Sequence, residues 1–326
     1  MTLPRRNFLA LAGSIAALTV LERTAQAQAY PARPVRMIVP FGPGGPTDVP
    51  ARLLAQKLSD YFGKQFYVEN VPGASGNIGA GQAAKAAPDG LTLLVTVNSL
   101  VINPNLFDSV PYDPFKDFDP VTLVVSFGTL LSVHPSVPAN TLSELVELIR
   151  KTPGKYSFAS PGLGTPSHLL GEALRQSIGL DLVHVPFSGS GPAIASVLGG
   201  HTPICFAGIA AAEPHVKAGK LRGLVVMSNH RSPTLPSIPT IGETGYPGIV
   251  GDGWVGVLVP AGTPKDITAA LYSEITRVLS ERDIKERLAA VGLEPLAGTP
   301  EEFARTMKSE SETWAQVIRA GNIKAQ

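Results

Sequence analysis

A single cysteine, Cys205, occurs in the 326 residues, so no intrachain disulfide and no thiolate metal cluster can form. It sits in the apolar run Pro203-Ile204-Cys205-Phe206-Ala207 and reads as a buried core thiol rather than a nucleophile. Charge of one sign is also missing. Lys and Arg number 27 against 26 Asp and Glu. Without the N-terminal Arg5, Arg6, Arg23 and Glu22 these become 24 and 25, a net charge near −1. That balance gives no electrostatic case for nucleic acid or for an anionic membrane surface. The histidines at 134, 168, 184, 201, 215 and 230 are dispersed, with no H-E-x-x-H or Cys/His ligand spacing. Ser188 and Ser190 lack the G-x-S-x-G frame of a nucleophile elbow. His168, near an expected helix start, reads as a cap or supporting donor rather than a base. No catalytic residue, cofactor or metal is therefore expected.

Long apolar runs are confined to the N-terminus. Arg5-Arg6-Asn7-Phe8-Leu9 precedes an apolar stretch to about Val20, and Ala25-Gln26-Ala27 offers a small-residue cleavage site. Residues 1–27 read as an export signal of twin-arginine type, and the stretch is shorter than the ~20 residues a span requires. Further on, Val121 to Val133 is interrupted by Thr122, Ser126, Gly128, Thr129 and Ser132. The expected location is the periplasm. Nicotinamide cofactors and ATP are essentially absent from that compartment, which lowers every nucleotide reading.

What the chain does have is Pro40-Phe41-Gly42-Pro43-Gly44-Gly45-Pro46-Thr47-Asp48. Val35-Arg36-Met37-Ile38-Val39 before it reads as a strand. Val49 to Leu58 after it reads as a helix with Leu53, Leu54 and Leu58 on one face. Glycines between a strand and a helix let N–H groups point at a ligand, and a helix N-terminus favours negative charge. No Lys-Ser/Thr pair makes this a P-loop, and Thr47 stands where a dinucleotide fingerprint has its third glycine. The loop is expected to receive a carboxylate through Phe41, Gly42, Gly44, Gly45 and Thr47. Asp48 is expected beside them as an N-cap or turn-orienting residue.

Short apolar runs alternate with helical patterns along the rest of the chain, the signature of an α/β fold with mainly parallel sheets. Strands are expected at 35–40, 65–69, 91–96, 156–159, 182–186, 203–207, 222–227 and 254–259. Helices are expected at 47–62, 76–87, 141–150, 166–178, 190–199, 211–218, 264–280, 282–291 and 300–319. Proline-punctuated connections near 112–120 and 232–248 mark a middle unit inserted into an outer one. The first lobe is expected to comprise 28–129 and 249–326, and the second 130–248, with a hinge and a ligand cleft between them.

A second glycine turn, Ser160-Pro161-Gly162-Leu163-Gly164-Thr165-Pro166-Ser167, supplies Gly162, Gly164, Thr165 and Ser167 as candidates on the second lobe. Pro166 suits a first helical turn and Thr165 a cap. One anion cradle per lobe points to a ligand with two carboxylates. Phe187 and Ser188, just ahead of a helix that Ser190 could cap, either line the cleft or merely punctuate the chain. Ser75-Gly76-Asn77 reads as a structural helix start. Asn98 and Ser99 are further cleft candidates, and Trp254 is a candidate wall.

Taken together, Tyr30-Pro31-Ala32-Arg33-Pro34-Val35-Arg36, the 40–48 loop and Val68-Glu69-Asn70-Val71-Pro72-Gly73-Ala74-Ser75-Gly76-Asn77-Ile78-Gly79 resemble the Bug-type receptors of tripartite tricarboxylate transport systems. So do Ala86-Ala87-Pro88-Asp89-Gly90, Val183-His184-Val185-Pro186-Phe187, Lys217 to Arg222 and Pro260-Ala261-Gly262-Thr263-Pro264. The resemblance implies a two-lobed periplasmic binding fold that takes a small organic carboxylate and serves membrane permease subunits, as a monomer. It implies a ligand carboxylate on the first loop and a second lobe that reads the other end. Three positions depart from the family pattern. Pro46 replaces a common glycine, Ser188 a frequent lysine, and Ala207-Gly208 a common Asp-Asn. The expected ligand is thus a dicarboxylate with an apolar middle rather than aspartate, glutamate or citrate. A periplasmic enzyme acting on a small carboxylate is the alternative.

Overall fold

The computed structural model describes residues 30–320, 323 and 324; the export signal and its cleavage site lie outside them. Eleven strands are described: β1 (Val35–Val39), β2 (Phe66–Asn70), β3 (Thr92–Val97), β4 (Phe118–Phe127), β5 (Thr129–Val133), β6 (Tyr156–Ser160), β7 (Leu182–Pro186), β8 (Ile204–Gly208), β9 (Arg222–Val226), β10 (Gly253–Pro260) and β11 (Glu294–Gly298). Ten α-helices accompany them: α1 (Asp48–Phe62), α2 (Asn77–Ala84), α3 (Ser99–Leu106), α4 (Leu142–Lys151), α5 (Pro166–Ser177), α6 (Ser190–Leu198), α7 (Ile209–Lys217), α8 (Lys265–Ser280), α9 (Arg282–Ala289) and α10 (Pro300–Ala320).

The strands form two sheets, ordered β11-β4-β10-β3-β1-β2 and β7-β6-β8-β5-β9. The first sheet uses strands from both ends of the chain, the second only strands from the middle. Each sheet is mixed rather than mainly parallel. β1 pairs in parallel with β2 and β3, and β6 with β7 and β8. β10 runs against β3 and β4, and β5 against β8 and β9. β5 and β10 take up the chain just after a crossing, and β11 pairs antiparallel with β4 at the edge of the first sheet.

The chain passes between the sheets at Gly128, the one residue between β4 and β5. β4 and β5 were legible only as an apolar stretch, because strands buried on both faces carry no alternation. A Cβ at Gly128 would lie 2.8 Å from Ile209 Cδ1, so the crossing needs a residue without a side chain. The return path runs from Met227 to Asp252.

Helices cover both faces of each sheet and close apolar cores around them. Local chemistry sets their ends. Gly63 terminates α1 at φ 65°, where a side chain would be strained, and its N–H bonds Ser59 O. Thr141 caps α4 by accepting from the Glu144 N–H at 3.1 Å. Cys205 is fully buried, as expected, and burial pushes its thiol up to about 12.

The end of α10 departs from the expected layout. Phe303 and Met307 pack with the first sheet, whereas Trp314 and Ile318 belong to the core of the second. α10 is thus a third connection between the two halves, and residues 249–326 are not confined to the first.

Gly256, central in β10, is where the packing against α10 is tightest. A Cβ there would meet three atoms of the Phe303 ring, two of them well inside contact distance. Gly256→Ala is expected to destabilise by about 1–3 kcal/mol through overpacking, and adding Phe303→Leu should restore part of the loss. Urea denaturation of the three proteins checks this; a neutral Gly256→Ala would contradict the packing.

Candidate functional site

A cavity of about 360 Å³ opens between the two halves at the carboxyl ends of β1, β3, β4, β6, β7 and β8. This is the end of a sheet at which α/β folds place ligands. Phe41, Gly42, Gly44, Gly45 and Thr47 line it from the first half, with Pro43, Pro46, Val97 and Phe127. Thr165, Ser167 and Ser188 line it from the second, with Gly189, Ser190, Gly191, Gly208 and Ala211 among others. No Lys, Arg, His, Asp or Glu is among the lining residues.

Polarity comes instead from helix ends. α1, α5, α6 and α7 all begin at this cavity. The first N–H groups of a helix have no partner within it and carry the positive end of its dipole. Among the described residues, the N–H groups of Gly42, Gly45 and Thr47 find no acceptor, and neither do those of Ser167, Ser190 and Gly191. Pro43 and Pro46 have no N–H to offer.

Asp48 is a scaffold beneath the first loop. It is 2% exposed, and Oδ2 accepts from Gly44 N–H at 2.9 Å and Arg52 Nε at 2.8 Å. Oδ1 accepts from Asn70 Nδ2 at 2.8 Å, and the same amide also donates to Phe41 O. Burial alone would raise the Asp48 pKa; hydrogen bonds from Arg52, Gly44 and Asn70 outweigh it and hold the carboxyl below its usual range. Two consequences follow. Asp48 is turned away from the cavity, and the Gly44 N–H, expected to face a ligand, is already bonded inward.

The second loop is held by buried histidines. Thr165 caps α5 as expected, accepting from His168 N–H at 3.3 Å, with Pro166 in the first turn. His168 Nδ1 accepts from Gly164 N–H at 3.2 Å, so the ring is an acceptor rather than the expected donor. Its ring stacks on His184 at 4.1 Å, and His184 Nε2 lies 2.7 Å from Ser160 Oγ. Burial lowers both pKa values, to about 3 and about 4, so both rings are neutral near pH 7. Gly164, like Gly44, is bonded away from the cavity.

Six other expected residues also lie off the cavity lining. Asn98 is completely buried at the start of α3, beside a buried Ser99. Trp254 is 3% exposed because its ring packs edge-on to Phe303, centroids 5.0 Å apart. Ala207 shares the core-facing side of β8 with Cys205, two residues away, and leaves the cavity to Gly208. Gly162 and Phe187 line an adjoining space of about 300 Å³, together with Gly73, Ser75 and Gly76. Ser190 is no side-chain cap, since Gly189 holds the cap position. Phe127 and Val97 escaped sequence reading because they end strands that give no local sign of facing a ligand.

Residues 50–323 match the model of the tripartite tricarboxylate transporter family receptor. The chain belongs to this family. It is 36% identical to Protein BugT of Bordetella pertussis over 320 residues, 98% of each chain. Among solved structures, R. palustris Rpa4515 with adipate superposes with a TM-score of 0.87 at 32% identity, covering 90% of this chain and 99% of that one. MatC of Rhodopseudomonas palustris with bound malate superposes at 0.83 and 33% identity, covering 89% and 100%. The family and these relatives are solute-binding receptors rather than enzymes. The receptor fold is accordingly that of a two-lobed periplasmic binding protein. No helix of the described residues is long and apolar enough to cross a membrane.

The paired histidines make receptor stability sensitive to acid. Their folded pKa values lie below the ordinary 6.5, so their contribution is full above that value and is lost as pH falls toward about 4 and about 3. Thermal melts from pH 7 downward should show a loss near 1 kcal/mol per pH unit for each ring. His168→Gln should flatten that slope, and an unchanged slope would show that other groups govern acid unfolding.

Proposed function

We propose that this receptor, exported to the periplasm, binds a small dicarboxylate with an apolar middle between its lobes and delivers it to a membrane permease. The observation that carries this reading is an interlobe cavity with four helix N-termini and no charged side chain in its lining. Helix dipoles and unpaired N–H groups attract carboxylates without a cation. An amino-acid ligand would bury an ammonium group with no carboxylate to meet it, which is costly. A third carboxylate would find no lysine, since Ser188 stands on the second-lobe side. Phe41, Val97 and Phe127 offer apolar wall to a hydrocarbon chain. Adipate in one relative is a diacid with an apolar middle, and malate in the other is a small hydroxy-dicarboxylate.

Charge-assisted hydrogen bonds contribute ~1.5–3 kcal/mol each, and a helix N-terminus ~0.3–1 more. Three or four such contacts reach the −8 kcal/mol, roughly, of micromolar binding. We assign the contacts to Gly42, Gly45 and Thr47 on one lobe, and to Thr165, Ser167 and Ser188 on the other. Calorimetry of the mature protein should show adipate or a similar plain diacid binding more tightly than glutamate or citrate. Gly45→Val should abolish that binding while the fold persists, because no side chain surrounds Gly45 and its nearest neighbour is Gly42 O at 3.9 Å. Tighter binding of glutamate or citrate, or undiminished binding by the variant, would overturn the assignment.

In this reading residues 28–129 with 249 to about 310 move against 130–248 and the end of α10, about the Gly128 crossing, the 227–252 return and α10 itself. A ligand that touches both lobes gains its second set of contacts only on closure. Small-angle scattering should therefore record a smaller radius of gyration at saturating diacid. An identical profile with and without ligand would favour a preformed pocket.

A further inference from the structure

Helix α10 carries a buried apolar stripe at Phe303, Met307, Trp314 and Ile318. Helical spacing puts position 310 in that same stripe, and position 310 is a glutamate. Its place is also where the helix passes from one core to the other. Phe303 and Met307 lie with the first sheet, Trp314 and Ile318 with the second. A residue that breaks the pattern at such a point is unfavourable for packing and needs another reason to be there.

The surroundings supply one. Asn98 ends the β3 segment with neither amide atom partnered; Trp254 Nε1, Asp252 Oδ1 and Glu310 Oε2 are likewise buried and unpartnered among the described residues. Buried polar atoms left in this state are costly, and each one calls for an explanation. Asn98, Trp254 and Trp314 turn their N–H groups toward the Glu310 carboxyl, and those of Asn98 and Trp254 stop short of a hydrogen bond to either oxygen. One turn beyond Glu310, Trp314 packs under Gly251, where a Cβ would lie 3.2 Å from its ring. Gly251 and Asp252 close the return path between the lobes. The carboxyl thus lies between the strand ends of the first lobe and the helix turn beneath the crossing.

We propose that Glu310 is a positioning residue of the hinge, whose charge state sets how Asn98, Trp254 and Trp314 pack beneath the crossing and so biases the lobes between open and closed. The inference rests on the reading that the lobes close on a ligand. Burial pushes the carboxyl up to about 7, with the Asp252 charge adding to it and the three donors opposing. Among the described residues no other charged group bears on it. α3 and β10 carry none, and β4 has only Asp119, which is bonded to Gly262 N–H at 2.9 Å. On α5, Glu172 is paired with Arg175 and His168 is neutral near pH 7. Asp252 itself accepts from Ser228 and faces His230 and Glu294.

The chain has two tryptophans, and both stand at this carboxyl, so intrinsic fluorescence reads it without a ligand. In the unliganded mature protein, the emission maximum should shift with a midpoint at about pH 7, and the radius of gyration should differ on either side of it. Both changes should vanish in Glu310→Gln and in Glu310→Met, and persist in His230→Gln. The sign of the stability effect is fixed as well. A raised folded pKa makes the Glu310 contribution largest below the ordinary 4.5, and that contribution is lost as pH rises through about 7. Glu310→Met should therefore melt above the wild type in alkaline buffer, with a smaller gap in acid. Constant wild-type emission across neutrality, a titration retained by both variants, or an emission shift with no change in radius would each overturn the proposal. Should Glu310→Gln fail to fold, the wild-type titration and Glu310→Met still decide it. Calorimetry with adipate is read separately: a protein that binds no diacid yet shows the Glu310 titration keeps the hinge inference and loses the ligand assignment.

Discussion

An α-helix begins with N–H groups that its own hydrogen bonding cannot reach. Four helices of this receptor begin at one space, and most of the site follows from that. Their summed positive ends make the cavity attractive to anions while every lining residue stays uncharged. Such a site pays no desolvation penalty for a buried lysine or arginine, and it leaves the walls free to be apolar. The charges that shape it are kept one layer behind. Asp48, tied to Arg52 and Asn70, sets the first loop, and neutral His168 sets the second.

The sheets put these helix starts together. In each half, parallel strands deliver their carboxyl ends to the same edge, and the antiparallel strands β4, β5 and β10 carry the chain across. Glycine is required where the traffic is densest. Gly128 lets the chain pass Ile209, Gly253 admits the Phe127 ring, and Gly256 admits Phe303. A second interlobe cavity of about 350 Å³, lined by Ser126, Gly128, Ser228 and Asp252 among others, shares Phe127 with the first. The crossing strand is therefore a thin partition with open space on both sides, and α10 runs beneath it with one polar residue in an apolar face.

How much of the site was legible can be argued residue by residue. The strand–glycine–helix order around 40–48 and 160–167 is local, so the loops, the Thr165 cap and the Pro166 start could be read directly. The resemblance to a receptor family was likewise carried by contiguous motifs. Gly44 and Gly164 could not be resolved from their neighbours Gly42, Gly45 and Gly162, because which N–H turns inward depends on Asp48 and His168. Trp254 and Ala207 were misplaced by one step of geometry. Strand alternation turned Ala207 to the core, and Phe303, about fifty residues away in sequence, took the Trp254 ring.

By itself, the sequence determined the class of element at most positions, the balance of charge and the absence of nucleophile, thiolate pair or cation cradle, since each depends on residue type and short spacing. Only the tertiary structure decided that four helix starts meet, that the sheets are mixed, and that α10 spans both cores. The physical reason is that convergence, register and inter-sheet packing are relations between segments distant in the chain. Glu310 shows the difference most plainly. A glutamate in a helix is ordinary in sequence, and it becomes a buried carboxyl beside two tryptophans only once both cores have packed against the helix that bears it.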